Sequence, residues 1–319
     1  LAPIVAIFLL FLFALILHFL RKGRWGFRVT TRNLLIGLLI FSFLSRVAWL
    51  DRPPKEYFDE VYHAFTARRV LHGDPKAWEW WNTPPEGFAY EWTHPPLAKE
   101  AMVLGMLIFG ENSFGWRIPA ALLGAATVYL VYLLTKELFN DQLLALFASG
   151  AFALDGLALV MSRIAMNDTY FLFFGLLSLY LFLKKKNLFS AMALGLAAAS
   201  KWSVFWMIPV LLIFHFSLKR RLNKGYLWFL VIPIAVYLVS YLPLFLSGHD
   251  WGVFVALQKQ MWWYHTRLEA SHPYTSSWWS WPFLLRPIWL YTSGTIKNII
   301  ANIYAMGNPM VFWFGGLSI

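Results

Sequence analysis

No cysteine occurs in the 319 residues. Disulfides and thiolate metal sites are therefore excluded, and the sequence carries no signature of a redox compartment. Charge is also scarce: 13% of residues are charged and 59% are hydrophobic. With a mean hydropathy of +0.56, this is the composition of a multi-span membrane protein, not of a soluble globule. A Gly-rich phosphate loop, a Walker pattern, a His-Glu-x-x-His zinc motif and internal repeats are all missing. No Ser/His/Asp or Cys/His set is legible either. The chain opens on Leu1 and an apolar run without the basic start of a signal peptide. Its end, Ile319, falls inside another apolar run. The expectation is a fragment or processed form that lacks upstream sequence and is cut in its last span.

What is present is a series of apolar segments. A helix needs about 20 such residues to cross a bilayer. Candidate spans cover roughly 2–20, 33–50, 116–135, 143–161, 168–183, 188–200, 202–217 and 226–246, with another from about 307. Two long stretches, 51–115 and 247–306, are rich in Trp, Tyr, Pro and charge, as interfacial or aqueous segments are. The stretch 188–218 has two readings. As one helix it would be about 45 Å long and strongly tilted in a core of about 30 Å. As a hairpin it would carry Ser200-Lys201-Trp202 at its outer tip.

The net charge of +11 supports the hairpin. Segments 21–32, 136–142, 184–186 and 219–224 hold 13 basic and two acidic residues, so the whole excess lies there. Elsewhere the signs cancel. Such an excess marks cytoplasmic loops and places 51–115 and 247–306 on the outward face. A nucleic-acid partner is not expected, because the cations are dispersed over four loops without a recognition pattern.

Polar residues recur at the outer span ends. Asp59-Glu60 follow the second span. Thr93-His94-Pro95-Pro96-Leu97-Ala98-Lys99 closes the first long loop, and Arg117 opens the third span. Ser162-Arg163 and Asp168 flank the next outer turn, and Lys201-Trp202 sits at the hairpin tip. Asp155 lies inside the fourth span. Each alone is explained as a solvated residue or a structural pair such as Arg163–Asp168. Five clusters at one depth argue for a site. Group transfer needs a base and anion stabilisation. Here the base candidate is a carboxylate, and Arg and Lys suit a lipid-linked phosphate at headgroup level. Glu60-x-x-His63 has the spacing of a metal half-site, but one copy lacks the further carboxylates such sites need.

These residues resemble the dolichyl-phosphate-mannose–protein mannosyltransferases, the protein O-mannosyltransferases of the GT-C class. The resemblance rests on Phe58-Asp59-Glu60-Val61, His94-Pro95-Pro96-Leu97-Ala98-Lys99, Ser162-Arg163 with Asp168, and Ser200-Lys201-Trp202. His272 to Pro282, Arg286-Pro287-Ile288-Trp289 and Gly307-Asn308-Pro309 continue it in family order. It implies an all-α polytopic membrane protein with the GT-C fold and outward-facing loop helices. An extra N-terminal span and basic loop would occupy 1–32, a catalytic membrane domain 33–246, and an outer loop with the start of a C-terminal membrane region 247–319. The implied reaction is inverting transfer of mannose from a polyprenyl-phosphate donor to Ser or Thr of a translocated protein. Asp59 would be the base and Glu60 would shape the site. Arg117, Arg163 and Lys201 are donor-phosphate candidates, with Arg163 pairing Asp168 as the alternative. His94 and Lys99 would order the loop. No metal and no cofactor are implied. The partners are the lipid donor, a secreted or membrane protein and the bilayer, with the site on the extracytoplasmic face of the cell membrane.

The chain departs from the family in four ways. The soluble β-trefoil insert of eukaryotic members is absent, the first span, 2–20, lies upstream of where the family usually begins, Ala98 stands where Gly is common, and Tyr62-His63 varies. Residues 251–268 have the composition of an interfacial amphipathic helix. The Trp-rich run 278–289 reads as a membrane-interface belt or as a sugar-stacking platform. Two rival functions remain: transfer of another lipid-linked sugar to a lipid or glycan, as in aminoarabinose–lipid A transferases, and a transporter or flippase of the lipid carrier. A transporter calls for repeat symmetry and mid-bilayer charge, which the sequence does not display.

Overall fold

A computed structural model of the chain describes residues 30–219, 221, 223–272, 274–296 and 299–315. The span expected over 2–20 lies outside them. In chain order the helices are α1 (Thr31–Val47), α2 (Glu60–Leu71), α3 (Leu97–Phe109), α4 (Ser113–Phe139), α5 (Gln142–Ala153), α6 (Gly156–Met161), α7 (Asp168–Leu183), α8 (Asn187–Ser200), α9 (Met207–Ser217), α10 (Trp228–Val239), α11 (Leu242–Leu246) and α12 (Trp251–Arg267). A hairpin pairs β1 (Ile288–Ile296) with β2 (Ile299–Ala305) in antiparallel register. Among the described residues, two stretches are long and apolar enough to cross a membrane, Ser113–Phe139 and Lys224–Leu246.

The chain forms two compact units. Among the described residues, one contains those of 30–49, 124–164 and 271–315; the other contains those of 50–123 and 165–270.

In the first unit, the hydroxyl of Thr30 accepts from the Asn33 N–H at 3.2 Å and starts α1. Asp141 starts α5, its Oδ1 accepting from Leu143 and Leu144 at 2.8 and 3.1 Å. The span expected over 143–161 is not continuous. It breaks between α5 and α6, where Asp155 leaves the helical path and caps α6 through Ala158 N–H at 2.8 Å. The other oxygen of Asp155 accepts from Asn308 N–H at 2.6 Å. A carboxylate inside an apolar segment is thus satisfied on both oxygens, and Gly307-Asn308-Pro309 is tied to it.

The all-α expectation is corrected here by the β hairpin. Ile288–Ile296 is rich in β-branched and aromatic residues, which fit a pleated surface better than a helix. Its register slips between Thr292 and Thr295, where Gly294 adopts a φ of 66° that glycine tolerates.

In the second unit, α7 and α8 form an antiparallel pair. α7 ends in a Schellman motif, with Lys185 N–H on Phe182 O and Lys186 N–H on Leu181 O, both at 2.9 Å. Lys185 holds the left-handed position at a φ of 60°, and Lys219 does the same after α9 at 48°. Glycine is the usual residue there. At the other end of α8 the helix stops at Ser200, and Lys201 is extended, with φ −160° and ψ 137°. A 3-10 turn, Trp202–Trp206, then leads into α9. This break rules out a single tilted helix over 188–218.

The helices α2, α3 and α4 meet through small residues. Ala64, Ala67, Ala98, Met102, Met106 and Trp116 are buried together. Ala98, where the family favours Gly, is fully enclosed. The approach is closest at Gly105, where an added Cβ would lie 2.2 Å from the Gly115 carbonyl oxygen and 2.8 Å from Pro119 Cγ. The intrahelical partner of that carbonyl would be residue 119, and proline has no N–H. The α3 backbone occupies the opening.

Gly-to-Ala in a helix interior ordinarily stabilises by about 0.5–1 kcal/mol. Gly105→Ala is expected to reverse that sign, since overpacking costs about 1–3 kcal/mol. A lower thermal midpoint for the detergent-solubilised variant is the expected measurement; an unchanged or higher one would refute the close approach.

Candidate active site

Asp59 and Glu60 are neighbours in sequence with opposite environments. Phe58 turns the chain just before them in a left-handed conformation, at a φ of 52°. That conformation costs a non-glycine residue roughly 1–2 kcal/mol. Asp59 then occupies the N-cap of α2, but its side chain makes no capping bond. Glu60 is fully buried.

The Glu60 carboxylate is clamped. Arg117 donates to it through Nε at 2.8 Å and Nη2 at 2.7 Å. The Ala165 N–H adds a bond at 3.0 Å. The remaining Arg117 donors reach the carbonyls of Leu50, Pro53 and Lys55 at 3.0, 2.7 and 3.1 Å. All five guanidinium N–H groups are therefore used inside a fully buried site. Arg117, expected among the phosphate binders, has no donor left for a phosphate. The same pair answers the metal half-site reading, because Arg117 takes both oxygens of Glu60.

A second cluster surrounds Glu91, which sequence reasoning missed. Lys99 is buried, and its three ammonium donors go to the Glu91 carboxylate, to Glu91 O at 2.9 Å and to His94 O at 3.0 Å. His94 Nδ1 lies 2.9 Å from Glu91 Oε1. Burial pushes the Glu91 carboxyl up, but Lys99, His94 and His63 together hold it well below the usual carboxylate range. His63 is buried beside this group, and burial drives its pKa down to about 4, leaving it neutral at neutral pH. From α12, His265 Nε2 donates to Thr93 O at 2.8 Å, and its ring stands edge-on to His94 with centroids 5.4 Å apart. Glu91 is a lone acid between Tyr90 and Trp92, eight residues before Lys99. That spacing was its only signal.

Asp59 is half-buried and receives no hydrogen bond from any described side chain. Burial raises its pKa, His94 opposes that, Asp168 and Glu91 add to it, and Lys201 opposes it. Its electrostatic surroundings thus join three of the sequence clusters. Lys201 binds Asp168 Oδ1 at 2.8 Å, and both side chains remain partly exposed. That single bond leaves two of its ammonium donors open. Arg163 belongs to the other unit, where it donates to the carbonyls of Ser45 and Ala48 at 2.6 and 2.9 Å near the end of α1. A cation suits helix C-terminal carbonyls.

The clusters therefore sort by what they can do chemically. Glu60–Arg117 and Glu91–Lys99 are closed ion pairs that fix backbone. Asp59 is an uncommitted carboxylate, and Lys201 is a half-exposed cation with capacity to spare.

A family model described as dolichyl-phosphate-mannose-protein mannosyltransferase matches residues 93–245. A second, described as the C-terminal four TMM region of protein-O-mannosyltransferase, matches 250–319. Asp59 and Glu60 lie upstream of both. Among curated proteins, the polyprenol-phosphate-mannose–protein mannosyltransferase of Mycolicibacterium smegmatis is 25% identical over 81% of this chain and 64% of its own length. That of Mycobacterium tuberculosis is 27% identical over 80% and 63%. An undecaprenyl phosphate-alpha-4-amino-4-deoxy-L-arabinose arabinosyl transferase of Pseudomonas paraeruginosa is 28% identical over 77% of this chain and 46% of its own. The chain therefore spans somewhat less than two thirds of these mannosyltransferases. In fold it is similar to the S. cerevisiae protein O-mannosyltransferase Pmt1–Pmt2 complex bound to the sugar donor, with a TM-score of 0.50, 22% identity, and coverage of 76% of this chain and 35% of that one.

Removing one partner of a buried ion pair costs about 3–5 kcal/mol, because the other charge is left uncompensated. Glu60→Gln and Arg117→Met are each expected to lower stability on that scale. The double variant is expected to lose less than the sum. Denaturant unfolding of the four proteins measures the coupling, and strict additivity would disprove it.

Proposed function

As the chain belongs to the dolichyl-phosphate-mannose–protein mannosyltransferase family, we propose that it transfers mannose from a polyprenyl phosphate to Ser or Thr hydroxyls of translocated proteins, with inversion. One observation carries the reading: Asp59 is the carboxylate left uncommitted beside two closed ion pairs, with a raised pKa and a half-exposed Lys201–Asp168 pair in electrostatic reach. In the proposed step, Asp59 accepts the proton of the acceptor hydroxyl. The hydroxyl oxygen forms a bond to the sugar C1 as the bond from C1 to the phosphate oxygen breaks. The electron pair leaves with the phosphate, and Lys201 offsets the developing charge. A single displacement inverts C1. Glu60, Arg117, Glu91, Lys99 and His94 act as positioning residues. In this reading the protein is a multi-pass cell-membrane enzyme with Asp59 on the extracytoplasmic side, an orientation that the basic loops support.

The deciding assay supplies polyprenyl-phosphate mannose and a Ser/Thr peptide to the membrane-embedded protein. Mannosylated peptide is the expected product. Transfer only to a lipid or glycan acceptor would move the chain to the aminoarabinose-type reading that the Pseudomonas relative represents. Lipid flux without transfer would make it a transporter.

Asp59→Asn is expected to lower turnover by about 10²–10⁴, the usual contribution of a general base. Because burial penalises the ionised form of Asp59, stability is not expected to fall, and the thermal midpoint should stay level or rise. The same direction fixes the pH profile. Activity should fall with acid through an apparent pKa above the ordinary aspartate value of about 3.9. An acid limb at or below that value would remove Asp59 as the base.

Lys201→Gln is expected to raise the KM for the lipid donor by roughly 10- to 100-fold, the scale of a charged hydrogen bond worth about 1.5–3 kcal/mol. Its exposed pairing with Asp168 makes the stability cost under about 1 kcal/mol. Unchanged donor KM would assign the phosphate to another cation.

A further inference from the structure

The far end of the α7–α8 pair holds a cavity that the transfer reaction does not use. α7 is 16 residues long, so this end lies about 24 Å from Asp168 and Lys201. The cavity measures about 710 Å³. Lys185, Lys219 and Arg221 line it, together with Asn223, Tyr226 and Trp228, and no carboxylate does. None of the three cations has an ion-pair partner among the described residues.

The walls are built rather than incidental. Tyr226 OH meets His215 Nδ1 at 2.8 Å, and its ring packs edge-on against Phe182. The two lysines occupy left-handed positions at the ends of α7 and α9, where glycine would fit without strain. Lysine there brings a cation to the cavity at a conformational cost. Beside it, Phe189, Phe216, Leu218 and Leu227 expose large apolar surfaces. The excess of basic residues in loops 184–186 and 219–224 puts this end at the cytoplasmic leaflet.

We propose that this cavity binds the headgroup of an anionic phospholipid of the cytoplasmic leaflet, with the phosphate among Lys185, Lys219 and Arg221 and the acyl chains along the exposed apolar helix faces. Three unpaired cations supply charge for a phosphate diester. The volume exceeds what one phosphate group fills, and Asn223, Tyr226 and Trp228 offer hydrogen bonds and an amphipathic wall to a glycerol-sized headgroup. A soluble anion would have no use for the apolar flank.

The test compares the full chain with Lys185→Gly/Lys219→Gly, both in neutral detergent. Glycine suits both backbone conformations, so this variant is expected to fold and to match or exceed the parent's thermal midpoint without lipid. Phosphatidylglycerol is expected to raise the parent's midpoint and to survive as a bound adduct in native mass spectrometry. The variant should bind it roughly 25-fold more weakly, at roughly fivefold per lysine. Phosphatidylcholine should give no shift. The proposal fails if phosphatidylcholine works as well, or if the variant retains the parent's affinity. It also fails if inorganic phosphate reproduces the effect, or if polyprenyl phosphate binds and phosphatidylglycerol does not. None of these readouts requires transferase activity, so the outcome is separate from the role of Asp59.

Discussion

The buried pairing of Glu60 with Arg117 is the interaction on which the site depends. A fully enclosed carboxylate and guanidinium must each be satisfied almost completely, or burial costs more than attraction returns. Here the geometry achieves that. The carboxylate takes Arg117 on both oxygens and a backbone N–H, while the guanidinium adds three loop carbonyls. Helix α2, the segment entering it and helix α4 are thereby joined at one point. Asp59 inherits a fixed position from its neighbour without entering the network itself.

The same saturation argument separates cations that look alike in sequence. Arg117 and Lys99 have every donor engaged. Lys201 makes one bond to a half-exposed aspartate. A basic residue at an outer span end is therefore not by itself a phosphate binder. The number of its donors already used decides the matter, and that number depends on carbonyls far away in sequence.

This is also where sequence reading reaches its limit. Apolar length placed α4 and α7, because bilayer thickness acts on contiguous residues. The break at Lys201 followed from charge on both flanks of 188–218. Asp59-Glu60 stood out because paired carboxylates near a membrane are costly. Their division of labour came only from the family resemblance; the residues by themselves did not show it, since its physical basis is Arg117 and Ala165, more than 50 residues away. Glu91 escaped notice because its partners, Lys99 of α3, His94 and His63 of α2, become a cluster only once α2 and α3 are packed. The β hairpin was hidden by its aromatics, which signal a membrane interface and a pleated sheet equally well. Asp155 reads as lying inside a continuous span because nothing in the apolar pattern of 143–161 marks the stop between α5 and α6.

Glu60 and Arg117 stand 57 residues apart in the chain. At about 5–20 residues per second, a ribosome makes the arginine roughly 3–11 s after the glutamate. Throughout that interval Glu60 has neither its cation nor the Ala165 N–H, and the carbonyls of Leu50, Pro53 and Lys55 have no guanidinium to gather them. The contacts that fix the start of α2 are therefore complete only once Arg117 of α4, and later Ala165, have been made. Biogenesis of the Asp59 region thus waits on a later helix, and a chain interrupted before residue 117 would expose the carboxylates without arranging them.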